Sequence, residues 1–109
     1  MNRKQLTIAS MTMIALLIAA VSFAAAPGAA DTYKSKCATC HGPDGKGQTT
    51  IGKSMKVQDL SSAEVQKQSD ADLQKIVTDG KGKMPAYKTK LSVADISSLV
   101  AYIRGLATH

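Results

Sequence analysis

Five consecutive residues, Cys37-Ala38-Thr39-Cys40-His41, constrain this chain more than any other part of its sequence. They contain both cysteines of the chain and one of its two histidines. In a C-x-x-C-H segment the two thiols can each form a thioether with one vinyl group of a porphyrin, and the histidine that follows can reach the iron. The segment therefore predicts one covalently attached haem c, held by Cys37 and Cys40, with His41 as an axial ligand of the iron.

Three other uses of these cysteines have to be weighed. A thioredoxin-like redox pair needs a βαβ context, and the sequence gives no sign of one. A structural zinc site needs four ligands, whereas the chain offers only Cys37, Cys40, His41 and the terminal His109. A disulfide within the segment would close a very short loop and would gain little stability. These alternatives stay open at this point, but the spacing and the following histidine favour haem.

The N-terminal part of the chain has the layout of a secretory signal peptide. Arg3 and Lys4 precede an uncharged stretch from 6 to 21, and small residues follow from 22 to 30. We expect a signal peptide over residues 1–24, with cleavage as late as Ala30 as the other option, and a periplasmic location. The alternative is a retained membrane anchor, although the sixteen-residue stretch is short against the ~20 residues of a spanning helix.

The remaining chain is one small domain, which we expect to cover residues 31–107. Removing Arg3 and Lys4 from the 14 basic residues leaves 12 against 8 acidic ones, a net charge of +4. The chain has no tryptophan, and a domain this small commonly needs a cofactor or another crosslink to supplement its core. Nucleic acid is not an expected partner, because no basic stretch is interleaved with aromatic residues.

The rest of the sequence predicts an all-α fold with long loops. We expect a short helix from Asp31 to Cys37 with Asp31 as its N-cap, and one helical turn over 62–67. Ser69 predicts the cap of a helix that ends at Gly80. Ser92 predicts the cap of the last helix, in which an apolar stripe is formed by Val93, Ile96, Leu99, Val100 and Ile103. No segment alternates apolar and polar residues over enough positions to predict a strand.

A second axial ligand is expected because electron-carrying haems usually have both axial positions filled. Met84 lies on the loop between the last two predicted helices, and Pro85 stiffens the backbone beside it. Met55 is more typical of an apolar side chain that fills a gap against the haem or the core. His109 is at a terminus, where side chains are usually solvated. We therefore predict Met84 as the second iron ligand.

With these motifs in place, the chain resembles a class I cytochrome c of the monohaem bacterial branch, which is similar to the algal photosynthetic carriers. The resemblance covers nearly all of the chain after the export region. It rests on Cys37 to Gly42, on the Gly45-Lys46-Gly47 turn, on the methionine loop from 80 to 87, and on the C-terminal helix around Tyr102. It implies three to four helices that wrap one haem, with His41 below the iron and Met84 above it.

The resemblance also implies that the first and last helices cross. The aromatic residue four positions before the first cysteine is Tyr33, and its partners would be Leu99 and Tyr102. The family's small residue falls on Ala29, which favours cleavage after Ala24. The proline that often orients the axial histidine is absent from 48 to 60, so we expect another carbonyl to accept the Nδ1 hydrogen of His41.

The expected function is that of a soluble, monomeric periplasmic electron carrier, not an enzyme. Its partners would be redox proteins with acidic docking surfaces if seven lysines on the predicted loops steer them to the haem edge; the alternative is that these lysines are simply solvated. The seven lysines are Lys46, Lys53, Lys56, Lys81, Lys83, Lys88 and Lys90. The alternatives are a haem peroxidase or gas sensor with a labile methionine, and a fixed cytochrome subunit of a larger redox complex.

Overall fold

A computed structural model describes residues 28–108, and this part of the chain is all-α. The signal peptide predicted over residues 1–24 lies outside the described residues. The helices are α1 Ala29–Lys36, α2 Ala38–His41, α3 Thr50–Met55, α4 Ala63–Gln66, α5 Asp70–Asp79 and α6 Val93–Leu106. Within this part of the chain the only β pairing is an isolated bridge between Lys81 and Met84, which agrees with the expected lack of strands.

The all-α prediction is confirmed, with six helical segments where three to four were expected. The additional elements are short: α2 has four residues and α3 has six. Thr49 caps α3 by accepting a hydrogen bond from the backbone N–H of Gly52, and Thr is a favourable residue at such a position.

The predicted serine caps are confirmed. The hydroxyl of Ser69 accepts from the backbone of Asp72 at the start of α5. Ser92 and Asp95 form a complete capping box at the start of α6. Two such caps satisfy backbone donors that would otherwise lack partners in the first turn of each helix.

The prediction that Asp31 caps the first helix was wrong. The helix begins two residues earlier, after Gly28 as N-cap, and Asp31 lies in its first turn. Ala29 and Ala30 extend the helix because alanine has the highest helix propensity. In this position Asp31 can still interact favourably with the positive end of the helix dipole.

The core consists of two apolar clusters beneath α6. The larger one contains Tyr33, Val77, Ile96, Leu99 and Leu106, and the smaller one contains Val65, Leu73 and Val100. Leu60 packs against both clusters and joins them. Burying each of these aliphatic side chains contributes about 1.5–3 kcal/mol to the free energy of folding. Because the two clusters contain only eight buried residues, the apolar core is small.

Four members of the predicted α6 stripe are buried, and one is not. Ile96, Leu99, Val100 and Ile103 lie in the interior as predicted. The prediction for Val93 was wrong, because its side chain is 85% exposed. It is the first residue of α6, at the rim of a shallow surface depression shared with Gln74 and Thr78 of α5.

The expected crossing of the first and last helices is confirmed. Helix α1 packs against α6, and the rings of Tyr33 and Tyr102 lie 4.9 Å apart with an interplanar angle of 39°. Tyr33 is 2% exposed and shares a cluster with Leu99. This crossing fixes the position of the segment that follows α1, which carries the two cysteines.

Candidate haem site

The attachment segment, residues 37–41, lies at the junction of α1 and α2. Cys37 ends α1, and the short helix α2 carries Cys40 and His41. Both cysteines are free and partly buried, so neither thiol is used in a disulfide. Burial raises the pKa of the Cys37 thiol, which the charge of Lys36 partly opposes.

Backbone carbonyls along this segment are held by residues from other parts of the fold. The hydroxyl of Tyr33 donates to the carbonyl oxygen of Gly42 at 2.6 Å. The hydroxyl of Thr49 donates to the carbonyl oxygen of Cys40 at 2.9 Å. The backbone N–H of Gly47 donates to the carbonyl oxygen of His41 at 2.7 Å. Burial raises the pKa of Tyr33 far above its ordinary value, so its hydroxyl remains a donor.

Helix α3 lies against α2 because Gly52 has no side chain. A Cβ atom at Gly52 would collide with the carbonyl oxygen of Cys40 and would lie 2.5 Å from that of Gly47. Sequence reasoning missed both Gly52 and Thr49, although a threonine before a helix is a recognisable capping signal.

The imidazole of His41 is oriented by burial more than by a hydrogen bond. Its Nδ1 atom is buried and has no hydrogen-bond partner among the described residues, so the carbonyl acceptor expected for it is not found there. Burial also lowers the pKa of His41, which favours the neutral imidazole that binds metals. A histidine that ligates a metal normally donates its other ring N–H to an acceptor, so the unpartnered Nδ1 does not by itself support ligation, and the case for His41 rests on its place in the Cys37–His41 segment.

Met84 lies on a tight, doubly anchored loop. Lys81 and Met84 exchange two backbone hydrogen bonds of 3.1 and 3.0 Å, and the loop then returns to α5 where Tyr87 N–H donates to Val77 O at 3.0 Å. Gly80 has a φ of +77°, and a Cβ there would lie 2.6 Å from the carbonyl oxygen of Met84. The loop conformation therefore depends on glycine at this position.

The same apolar cluster brings the methionine loop and the attachment segment together. Cys37, Ala38, Met84 and Tyr87 are partly buried and all pack against the larger core cluster. By contrast, Met55 is 42% exposed and belongs to neither cluster. The cluster thus places the thiol of Cys37 and the thioether of Met84 against the same apolar surface, and Cys40 and His41 follow Cys37 on the short helix α2; these groups fit a c-type haem.

Comparison with known proteins decides the family. The family model described as cytochrome c oxidase, cbb3-type, subunit III matches residues 24–103. The chain belongs to this family of c-type cytochromes. As a member it binds haem c covalently, and the iron of that haem serves electron transfer.

Two individual proteins agree with this assignment. The cbb3-type cytochrome c oxidase subunit CcoP of Azospirillum brasilense is 30% identical over 108 residues, which cover 97% of this chain and 37% of that protein. This cytochrome therefore spans little more than a third of the length of that relative. The solved structure of the KustC0563 c-type cytochrome is 31% identical with a TM-score of 0.68, covering 72% of this chain and 96% of that one.

The comparisons support a monohaem, class I-like cytochrome. The individual roles of Cys37, Cys40, His41 and Met84 stay predictions, supported by the geometry above. Among residues 28–108, no helix has the length and apolar composition needed to cross a bilayer.

Proposed function

We propose that this cytochrome is a soluble periplasmic carrier of single electrons, with haem c attached through Cys37 and Cys40 and ligated by His41 and Met84. The single observation that carries the proposal is the methionine loop, which is closed by its own hydrogen bonds and packs against the same apolar cluster as Cys37. On such a fixed loop, Met84 would be held in place to ligate the iron in both oxidation states.

The polypeptide contributes position and surroundings, and it changes no substrate chemically. The haem iron supplies the one-electron chemistry when it is bound. His41 offers a neutral nitrogen, and Met84 offers a soft thioether that favours the reduced iron. Because both side chains are held by packed elements, little geometry should change on oxidation.

The lysines support transient contact with acidic redox partners. All seven lysines named above are exposed, with Lys53 in α3 and the other six outside the helices, and none of them forms an ion pair among the described residues. Unpaired positive charges near an exposed haem edge would steer an acidic partner toward it. A rate of electron exchange with an acidic partner that does not change between low and high salt would remove this part of the proposal.

Export would deliver the domain over residues 31–107 to the periplasm. Because α1 begins at Ala29, cleavage after Ala24 would leave this helix whole, whereas cleavage after Ala30 would remove its first two residues. The intact mass of the protein purified from its native host would distinguish these two cuts from a retained anchor.

Carbon monoxide binding tests the carrier role against a peroxidase or gas sensor. The reduced holoprotein should bind carbon monoxide slowly or weakly at neutral pH, because Met84 occupies the position that the gas needs. Met84→Ala should bind it readily and serves as the positive control. Rapid, tight binding by the unmodified protein would show an open iron and would favour the sensor or peroxidase.

A fixed subunit of a larger redox complex is the second candidate function. It is favoured by the similarity to CcoP, which is named as a subunit of a cbb3-type oxidase. The polar, lysine-rich loops favour the free carrier instead. A monodisperse monomer in size-exclusion chromatography of the native extract supports the carrier, and co-elution with an oxidase supports the subunit.

A further inference from the structure

We propose that Tyr87 is a positioning residue that ties the methionine loop to the attachment segment and so holds Met84 at the iron. This inference rests on the proposed ligation by Met84. The decisive contact is a hydrogen bond of 3.1 Å from the hydroxyl of Tyr87 to the carbonyl oxygen of Lys36, 51 residues away in sequence. Lys36 immediately precedes Cys37.

The acceptor of this hydrogen bond is suited to the role. Lys36 is the last residue of α1, and carbonyl groups in the last turn of a helix lack partners within it. The hydroxyl of Tyr87 satisfies one of them. This hydrogen bond therefore joins the end of α1, next to the haem-attaching Cys37, to the loop that carries Met84.

The rest of Tyr87 is fixed at several points. Its backbone N–H donates to Val77 of α5, and its carbonyl accepts from Lys90 and Leu91. Its ring packs against the larger core cluster, and the ammonium of Lys90 lies 5.6 Å from the ring centroid. The backbone and ring of Tyr87 are thus anchored, while its hydrogen bond to Lys36 lies at the exposed surface.

Tyr87 stands only three residues after Met84, so motion of the loop strains this contact. One route by which Met84 could leave the iron is a motion of the loop away from the attachment segment. If that motion includes residue 87, the hydrogen bond to Lys36 has to break. An outside ligand that competes with Met84 must then overcome this additional cost.

Competition with imidazole tests the inference in the oxidised holoprotein. Imidazole displaces the methionine, and the loss of the weak near-infrared band of methionine-ligated ferric haem reports the displacement. Tyr87→Phe keeps the ring and removes only the hydroxyl. We expect it to raise the apparent imidazole affinity about two- to tenfold, as the loss of one modest hydrogen bond predicts, while the band remains when imidazole is absent.

Tyr102→Phe is the matched control, because the hydroxyl of Tyr102 makes no hydrogen bond among the described residues. Its imidazole affinity should equal that of the unmodified protein. An unchanged affinity in Tyr87→Phe, or an equal rise in both variants, would overturn the positioning role and leave the carrier proposal standing. A Met84→Ala variant that binds imidazole no more tightly than the unmodified protein would overturn the Met84 ligation itself, and the role of Tyr87 with it.

Discussion

At the scale of single residues, Tyr33 connects the core to the residue that directly follows the attachment segment. Its ring is buried between α1 and α6, and its hydroxyl holds the carbonyl oxygen of Gly42 directly after His41. That oxygen also accepts from the backbone N–H of Gly45 at 3.1 Å, so removing the hydroxyl would not leave it without a partner. The expected cost is therefore that of one hydrogen bond.

Tyr33→Phe should lower the free energy of unfolding by about 0.5–1.5 kcal/mol, because the ring packing remains and one hydrogen bond is lost. Denaturant unfolding of the holoprotein measures this value. Tyr102→Phe, which loses no hydrogen bond, should change stability by less than about 0.5 kcal/mol. Equal losses in the two variants would mean that the Gly42 contact contributes nothing of its own.

At the scale of helices, α3 packs closely against α2 and contacts the backbone of the attachment segment at Cys40. Thr49 and Gly52 make this approach, the first by donating to the Cys40 carbonyl and the second by lacking a side chain. A methyl group at Gly52 would meet backbone atoms, which cannot move aside as a flexible side chain can.

Gly52→Ala should destabilise the holoprotein by about 1–3 kcal/mol, the usual range for overpacking. Gly105 in α6 is the matched helical glycine, since a Cβ there would meet nothing within 4 Å. Gly105→Ala should stabilise the protein by up to about 1 kcal/mol through helix propensity. Thermal unfolding of both variants measures the contrast, and a stabilising Gly52→Ala would contradict the close packing of α3 on α2.

At the scale of the whole molecule, the sequence predicted what local chemistry determines. The serine caps of α5 and α6, the stop at Gly80 and the buried face of α6 depend on neighbours within a few residues, and they were predictable. The attachment segment could be proposed from the sequence because its chemistry requires five consecutive residues, and the roles of its residues stay predictions.

Features that depend on distant contacts could not be read from the sequence. The hydrogen bond from Tyr87 to Lys36 joins residues 51 positions apart, and no local pattern marks it. The short helices α2 and α3 are held by contacts such as Thr49 to Cys40, which exist only in the folded chain. Val93 fits the apolar period of α6, but it is the first residue of that helix and is exposed.

We propose that His41 and Met84 together ligate the iron of a covalently bound haem. The most direct test is the visible and near-infrared spectrum of the purified mature holoprotein, oxidised and then reduced with dithionite, compared with Met84→Ala and with Met55→Ala as control. We expect a sharp α-band on reduction, and a weak near-infrared band in the oxidised form that is lost only in Met84→Ala. A band that survives in Met84→Ala, or that is lost in Met55→Ala instead, would contradict this proposal.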